Sequence, residues 1–425
     1  MTREVPRGLV VLRHEIFSPW IGNLNSNSIP TYFKFKTAEL YCPEPMGRQK
    51  NQRGLLRNIY FAMLEALRNR ANFFFVRTCG DRDNLYSKDW AKTFSRYELN
   101  TYLFFFRFDM LCRFLFRFFR FFYKVTSIFP IFDRQLYEKI KNQNWAQVIV
   151  MPTNMPKSIE YDAIRICRRL KIKSSIIVMS LDNLTSKGCY LDIPDQVICW
   201  NDLQMELLRK KHLVAKRSIE IRPSLFFSRW LERTEALFES LRSEKTTDTT
   251  CNILYVCSSH RLGSFRQVKK SKVTAETIAL NKLLRELQEG QLNRYKLQVR
   301  LHPKNALSEA ILRESEISNR VTLLNANFPD SDEDIKQFAN QLSSASICIG
   351  LNTSAMIQSA LLGVPTFCLS GQDIDIVTVQ TAHLRQLIDL GVVAPITRAS
   401  EILSYDLAST GSEQREQALK FVGIR

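Results

Sequence analysis

The segment 346–369, SICIGLNTSAMIQSALLGVPTFCL, places polar side chains between an apolar strand and a helix. Asn352, Thr353 and Ser354 follow the strand, and a helical pattern begins near Ala355. Thr353 or Ser354 is a good N-cap, and the first backbone N–H groups of a helix attract an anion such as phosphate. The pattern predicts an anion-binding turn; the alternative is a capped helix that binds nothing.

A second polar group, VRLHPK at 299–304, lies at the predicted end of another strand. His302 can donate a hydrogen bond to an anion, and Arg300 or Lys304 can add positive charge. Pro303 would end the strand. The alternative is a strand-end histidine with exposed neighbours.

The first half contains a third polar group, MSLDNLTSKG at 179–188. Asp182, Asn183 and Lys187 come after a predicted strand, so we expect them at the carboxyl edge of a sheet, where ligands bind. Asp182 is suited to orienting a hydroxyl, and Lys187 to pairing with a phosphate. Because Asp and Asn side chains also stabilise turns, a purely structural turn is the alternative.

The elements around these groups predict an α/β fold. Short β-rich runs alternate with helical patterns, which is typical of doubly wound parallel sheets. In the second half the predicted strands are 252–257, 296–302, 321–324, 346–350 and 365–369, and the helices are 273–289, 333–343 and 355–362. In the first half the predicted strands are 8–13, 73–77, 147–151, 174–180 and 196–199, and the helices are 162–170 and 202–212.

This alternation predicts two Rossmann-like domains whose parallel sheets face a cleft. Residues 240–250, SLRSEKTTDTT, are polar apart from one Leu, which favours a linker. We therefore assign an N-terminal domain to 1–240, a linker to 241–250 and a C-terminal domain to 251–425.

Positive charge is concentrated in the first half of the chain. The 425 residues carry a net charge of +18. Residues 1–245 hold 41 Lys or Arg against 24 Asp or Glu, a net charge of +17, so the remainder carries +1. This asymmetry indicates an anionic partner for the first half: nucleic acid, an anionic membrane or a phosphorylated substrate.

The segment 103–125 contains ten Phe and forms an unusual helical pattern. Arg113, Arg117, Arg120 and Lys124 fall on one helical stripe, and the rest of the circumference is almost wholly apolar. Such a helix can lie in a membrane interface. The alternative is a buried helix whose Arg side chains extend to the surface.

Cysteine spacing and the N-terminal residues bear on the cellular compartment. None of the ten Cys has CxxC spacing, which argues against a zinc ribbon and favours small core residues in a reducing compartment. The first fifteen residues contain no apolar stretch typical of a signal peptide. We therefore expect a cytoplasmic protein, at the inner face of the plasma membrane if the basic helix contacts lipid.

The GLNTS turn with ALLGVP, and the VRLHP segment ahead of it, resemble the donor site of glycosyltransferases with the GT-B fold. The resemblance is closest to bacterial surface-polysaccharide enzymes near the CDP-glycerol glycerophosphotransferases and UDP-N-acetylglucosamine 2-epimerases. The segment 182–188 with PDQVICWN at 194–201 is similar to a pattern of polysaccharide glycosyltransferases.

This resemblance implies a nucleotide-activated donor bound by the C-terminal domain. Gln358 stands where the family usually has an acidic residue that binds the donor ribose; glutamine can also donate and accept hydrogen bonds. Arg261 and Arg266, in the loop after strand 252–257, would approach the donor phosphates, although a charge run is also typical of a solvated face. The other implied donor-binding residues are Arg300, His302, Asn352, Thr353 and Ser354.

The resemblance assigns the acceptor to the N-terminal domain. His14, directly after the first predicted strand, or Asp182 would act as the catalytic base. Asn183 and Lys187 would lie on the acceptor side. A surface-loop histidine is the alternative for His14, and His383 is expected to be structural.

The predicted function is transfer of a sugar or polyol phosphate from a nucleotide-activated donor to a lipid-linked or anionic glycan acceptor. No DxD motif follows a strand, so we expect no metal and no cofactor beyond the donor itself. The alternatives are a UDP-sugar 2-epimerase and a non-enzymatic binder of an anionic membrane or polymer. Base-stacking motifs are lacking in the sequence, so nucleic acid is not an expected partner.

Overall fold

The computed structural model describes two α/β units. The described residues are 7–12, 37–41, 55–78, 108–151, 160–185, 188–244, 251–258, 274–302, 320–324, 331–371 and 374–424. Those up to Leu225 form the first unit, and those from Phe226 onward form the second. Each unit contains a six-stranded sheet in which all pairings are parallel, which confirms the predicted fold class.

The first sheet has the spatial order β2-β1-β3-β4-β5-β6. Every residue of QVIVM at 147–151 is buried, as expected for a central parallel strand covered on both faces. The strands are β1 (Arg7–Leu12), β2 (Thr37–Tyr41), β3 (Gln147–Met151), β4 (Ser174–Ile177), β5 (Gln196–Cys199) and β6 (Ile219–Ile221).

The helices of the first unit include a long pair with an aromatic core. Tyr60, Phe61 and Leu64 of the first member pack with Phe116 and Tyr123 of the second. The helices are α1 (Leu55–Thr78), α2 (Asp109–Ser127), α3 (Arg134–Lys141), α4 (Glu160–Leu170) and α5 (Asp202–Lys210), with a 3-10 turn at Leu181–Leu184 and another at Lys216–Ser218.

The second sheet has the spatial order β12-β11-β10-β7-β8-β9. Its strands are β7 (Cys251–Val256), β8 (Tyr295–Arg300), β9 (Val321–Leu324), β10 (Ile347–Gly350), β11 (Thr366–Leu369) and β12 (Ala394–Ile396). Its helices are α6 (Leu225–Glu244), α7 (Ala275–Gln288), α8 (Asp332–Ser343), α9 (Ser354–Leu361), α10 (Ala382–Asp389) and α11 (Leu407–Phe421), with 3-10 turns at Asp375–Val377 and Ala399–Ser404.

The predicted strand 73–77 is wrong, because these residues belong to the last turns of α1. Phe73, Phe74 and Phe75 are all fully buried. A short run that is apolar on every side has no periodicity to separate a buried strand from a buried helix.

The polar segment assigned as a linker begins inside α6, which continues to Glu244. α6 packs within the second unit. The ring centres of Trp230 and Phe338 are 5.3 Å apart, and Arg415 is ion-paired with Glu235. Residues 226–240, placed in the N-terminal domain from the sequence, therefore belong to the second unit. Residues 245–250 lie outside the described residues.

The sequence places four basic side chains on one stripe of α2, and the structure buries one of them, Arg120. Arg113, Arg117 and Lys124 are exposed, whereas Arg120 is buried and donates to the His212 carbonyl oxygen at 3.4 Å. No helix in the described part of the chain is both long enough and apolar enough to cross a membrane.

Candidate functional site

The GLNTS turn lies where the strand order of the second sheet reverses. β7 and β10 are adjacent, and the later strands extend outward on both sides of this pair. In open α/β sheets, ligands bind outside the carboxyl ends of the strands at such a switch point. β10 ends at Gly350, so Asn352, Thr353 and the start of α9 occupy this position.

Close packing sets the position of α9. A Cβ atom on Gly350 would lie 3.0 Å from Val256 Cγ2 and 3.1 Å from Met356 Sδ. Thr353 is the extended N-cap residue, and its Oγ1 accepts a long hydrogen bond from the Ala355 amide at 3.4 Å. The glycine thus lets the helix start directly against the sheet edge, and the helix begins at Ser354, next to the predicted start near Ala355.

Asn352 is held by a histidine from another element. His383 Nε2 lies 3.0 Å from Asn352 Oδ1, and Asn352 Nδ2 donates to the Val377 carbonyl oxygen at 3.1 Å. Because the amide oxygen is the acceptor, Nε2 must carry a proton. His383 was expected to be structural, and its contact with the GLNTS turn could not be inferred from the sequence.

Gln358 lies on the same face of α9 as the exposed Ser354, one turn further along. It is 3% exposed, and its backbone oxygen accepts from Trp230 Nε1 at 3.3 Å. Its side-chain Nε2 is buried and has no hydrogen-bond partner among the described residues. A buried amide without a partner is costly, and a ligand acceptor would satisfy it.

Arg300 is held against α8. Its guanidinium lies 4.2 Å from the centre of the Phe338 ring and donates to Gln341 Oε1 at 2.6 Å. Burial lowers the pKa of Arg300 to about 10, so the group remains charged at neutral pH. His302 follows two residues later and is half-buried.

A buried carboxylate, which the sequence analysis did not single out, fixes the end of β7. Glu276, in the first turn of α7, accepts hydrogen bonds from the backbone N–H of Ser258 at 3.1 Å and from its hydroxyl. Burial raises the pKa of Glu276. This contact defines where the chain leaves β7 toward the segment that contains Arg261 and Arg266.

In the first unit, Asp182 and Asn183 form the 3-10 turn after β4. Asn183 Oδ1 accepts from the Met179 and Ser180 amides at 3.0 and 2.9 Å, and the Ser180 hydroxyl donates to Asp182. Both side chains therefore stabilise the turn, as expected if this segment is a purely structural turn. Asp182 is also almost completely buried.

The loop after this turn is clamped at its base by His212, which is fully buried. His212 Nδ1 accepts from the Tyr190 amide at 3.2 Å, so Nε2 is protonated and donates to the Leu184 carbonyl oxygen at 3.0 Å. Burial lowers the pKa of His212 to about 4. The neutral ring therefore joins the two ends of the loop that carries Lys187.

α1 also shapes this loop. Asn72 Oδ1 accepts from the Cys189 amide at 2.8 Å. Gly188 has φ +105°, and a Cβ atom there would lie 2.7 Å from Asn72 Cγ. Position 188 thus requires glycine for both backbone conformation and space.

Four predicted site residues, His14, Lys187, Arg261 and Arg266, lie outside the described residues. Within the described part of the chain, Asn352, Thr353, Ser354 and Gln358 come together at one helix start. No group of three His, Cys, Asp or Glu among the described residues could hold a metal ion.

The two doubly wound sheets give the chain a GT-B-like fold, and similar solved structures share it. A UDP-N-acetylglucosamine 2-epimerase from Listeria monocytogenes superposes with a TM-score of 0.53 at 11% identity, covering 98% of this chain and 91% of that one. The Neisseria meningitidis UDP-GlcNAc 2-epimerase bound to UDP-GlcNAc gives 0.50 at 10% identity, covering 99% and 95%.

A third structure, S. aureus MnaA in complex with UDP, has a TM-score of 0.50 at 7% identity and covers 98% of this chain and 91% of that one. At such low identity these similarities establish the fold. No protein-family model matches the sequence, and no curated protein matches it.

Proposed function

We propose that the protein transfers a sugar, or a polyol phosphate, from a nucleotide-activated donor to an acceptor hydroxyl in surface-polysaccharide or glycan biosynthesis. The observation that carries this proposal is the buried Gln358 amide without a partner, beside a helix start at the switch point of the second sheet. A ribose hydroxyl would accept a hydrogen bond from this amide.

On the donor side, the start of α9 would receive the diphosphate, because backbone N–H groups and the helix dipole favour an anion there. Asn352, fixed by His383, would orient the donor. His302, Arg261 and Arg266 would add hydrogen bonds and charge. The similar structures that contain UDP or UDP-GlcNAc support a nucleotide-sugar ligand for this fold.

On the acceptor side, His14 would remove the proton of the attacking hydroxyl, or Asp182 would do so if its contact with Ser180 is released. The hydroxyl oxygen then bonds to the transferred group, and the bond to the nucleotide phosphate breaks. Positive groups at the donor site would stabilise the charge on the leaving group, with no metal or cofactor. Lys187 would hold a lipid-linked or anionic glycan at the cytoplasmic face of a membrane, and Asn183, on the acceptor side, would fix the turn that presents it.

A thermal-shift screen of nucleoside diphosphates and CMP tests the donor site. Binding increases the free energy of unfolding by mass action, by about 2.7 kcal/mol at a ligand concentration 100 times Kd, and therefore raises Tm. In Gln358→Leu we expect the ligand-induced shift to fall sharply. The Tm without ligand should stay the same or rise, because the variant removes an unpaired buried amide.

Gln414→Leu is the matched control. Gln414 is also 3% exposed and lies in the same unit, but both its amide atoms are bonded to the Thr366 backbone, at 2.6 and 2.8 Å. This variant should lose stability and keep the ligand shift. If no nucleotide shifts the wild-type Tm, and His302→Ala behaves like wild type, the donor-site proposal is wrong.

A UDP-sugar 2-epimerase is the second candidate, favoured by the two epimerase structures with a similar fold. An epimerase forms the sugar isomer without an acceptor, whereas a transferase releases free nucleotide only when an acceptor is present. Incubation with UDP-GlcNAc alone, followed by analysis of the sugar product, separates the two. Isomer formation would overturn the transferase proposal and leave the nucleotide site intact.

A further inference from the structure

One face of α2 exposes a continuous row of apolar side chains. Phe114, Phe118, Phe121, Phe122 and Val125 are between 43% and 62% exposed, and we call them the aromatic face. Neighbouring rings contact one another: the ring centres of Phe114 and Phe118 are 6.2 Å apart, and those of Phe118 and Phe122 are 4.7 Å apart. The aromatic core therefore uses only the opposite side of the helix.

The exposed apolar surface extends beyond α2. Tyr60 of α1 donates to the Thr126 carbonyl oxygen at 3.2 Å, so the start of α1 lies beside the end of α2. This end of the helix pair also exposes apolar side chains from both segments, namely Leu56, Ile59, Met63, Ile128 and Phe129. Large exposed apolar patches mark interaction surfaces rather than ordinary scattered hydrophobics.

The charge beside this surface is positive. Arg113, Arg117 and Lys124 lie along one border of the aromatic face and are exposed; we call them the basic edge. The single acidic residue of α2 is Asp109, at its first position on the same helical stripe, and no acidic residue follows up to Ser127. An exposed aromatic face next to a basic edge is the pattern of a helix lying at the surface of an anionic membrane.

Charge also distinguishes between two possible partners of the aromatic face, a second copy of the chain and a lipid bilayer. The first half carries a net charge of +17, so a second copy docking on this face would bring like charges together. An anionic bilayer would instead attract the same charges. α2 has 19 residues and does not qualify as a membrane-spanning helix, which is consistent with surface attachment.

We propose that α2 lies along the surface of an anionic lipid bilayer. The aromatic face would enter the boundary between headgroups and acyl chains, and the basic edge would contact lipid phosphates. The proposal concerns attachment, is independent of which reaction the donor site performs, and places the first unit against a lipid surface.

Flotation with vesicles tests the proposal. Wild-type protein should float with phosphatidylcholine vesicles containing phosphatidylglycerol at low salt, and much less with phosphatidylcholine alone. We expect the combined variant Phe114→Ser, Phe118→Ser, Phe121→Ser to lose binding at least tenfold with an unchanged Tm, because these side chains are exposed. Arg113→Gln, Arg117→Gln and Lys124→Gln should each reduce anionic-vesicle binding about fivefold.

A matched control replaces exposed apolar residues elsewhere on the first unit. Leu203→Ser with Ile221→Ser should float like wild type, since Leu203 and Ile221 lie outside the aromatic face. Absence of wild-type flotation at low salt, or equal flotation of the Phe variant, would overturn the proposal. A self-association detected by light scattering that the Phe variant abolishes, without vesicle binding, would assign the surface to a second copy.

The nucleotide thermal shift separates this proposal from the proposed function. The Phe variant should keep the ligand-induced Tm shift, because its substitutions lie in the first unit and Gln358 lies in the second. Vesicle binding without any nucleotide shift would leave attachment standing and reject the donor site. A nucleotide-induced Tm shift without vesicle binding would support the donor site and reject membrane attachment.

Discussion

Each unit contains a buried imidazole among its described residues, but the two rings have different partners. His212 bonds to backbone groups at both ends of the loop after β4, whereas His383 bonds to the side chain of Asn352. The first ring fixes the path of the chain. The second orients one side chain at a helix start. The partner of a buried histidine therefore indicates whether its loss should affect stability or ligand binding.

Replacing His212 should give the largest effect. His212→Ala removes a fully buried ring that contacts Phe75 and Tyr190, together with its hydrogen bonds to the Leu184 oxygen and the Tyr190 amide. We expect a loss of about 4 kcal/mol in the free energy of unfolding. Urea denaturation measures it. His383→Ala, the matched control, should lose no more than about half as much.

The pH dependence of His212 sharpens this prediction. Its folded pKa of about 4 lies below the unfolded value of about 6.5, so its contribution to stability is complete above pH 6.5 and is lost as pH falls toward 4. The loss amounts to about 3 kcal/mol. Burial raises the pKa of Asp162 to about 6, which acts in the opposite direction.

The test therefore compares wild type with His212→Gln at each pH. The stability difference between them should shrink as pH falls from 6.5 to 4. An NMR titration of the wild type provides a second measurement, in which the His212 ring should stay neutral down to about pH 4. Protonation of the folded ring near pH 6.5 would contradict its role as a neutral clamp.

Gly188→Ala should have an intermediate effect. The new Cβ would meet Asn72 Cγ at 2.7 Å, and φ of +105° is unfavourable for any residue with a side chain. We expect a loss of about 2–3 kcal/mol, measured as a lower Tm. Gly363→Ala is the control: φ there is +73°, but the nearest atom is 3.7 Å away, so only about 1 kcal/mol should be lost. Equal losses would show that the Asn72 contact is unimportant.

The sequence predicted best where local signals were sufficient. The turn before α9 was recognisable because an apolar strand, a glycine and a Thr-Ser cap follow one another. The C-terminal end of α1 was predicted as a strand because its buried Phe run has no periodicity.

The two histidine contacts were not predictable, since each joins residues about 30 positions apart. His383 reaches Asn352 from α10, and His212 reaches Leu184 from the residues after α5. Only the packing of helices on the sheet brings these pairs together. A histidine within a helical pattern gives no local signal of its partner, so its role depended on the tertiary structure.

Replacing His383 should give the smallest effect, and mainly on binding. In His383→Leu, Asn352 loses one hydrogen bond but keeps its contact with the Val377 oxygen, so the turn stays folded and its amide becomes less well oriented. We expect nucleoside diphosphate affinity to fall by about 1 kcal/mol, or about fivefold in Kd, measured by calorimetry.

His383→Gln separates orientation from packing. Its amide N–H can donate to Asn352 Oδ1 as the Nε2 proton does, so this variant should recover much of the lost affinity. The Tm values of the two variants without ligand should be similar. If His383→Leu and His383→Gln weaken binding equally, His383 acts only through packing. The roles of His383 and His212 would then not differ.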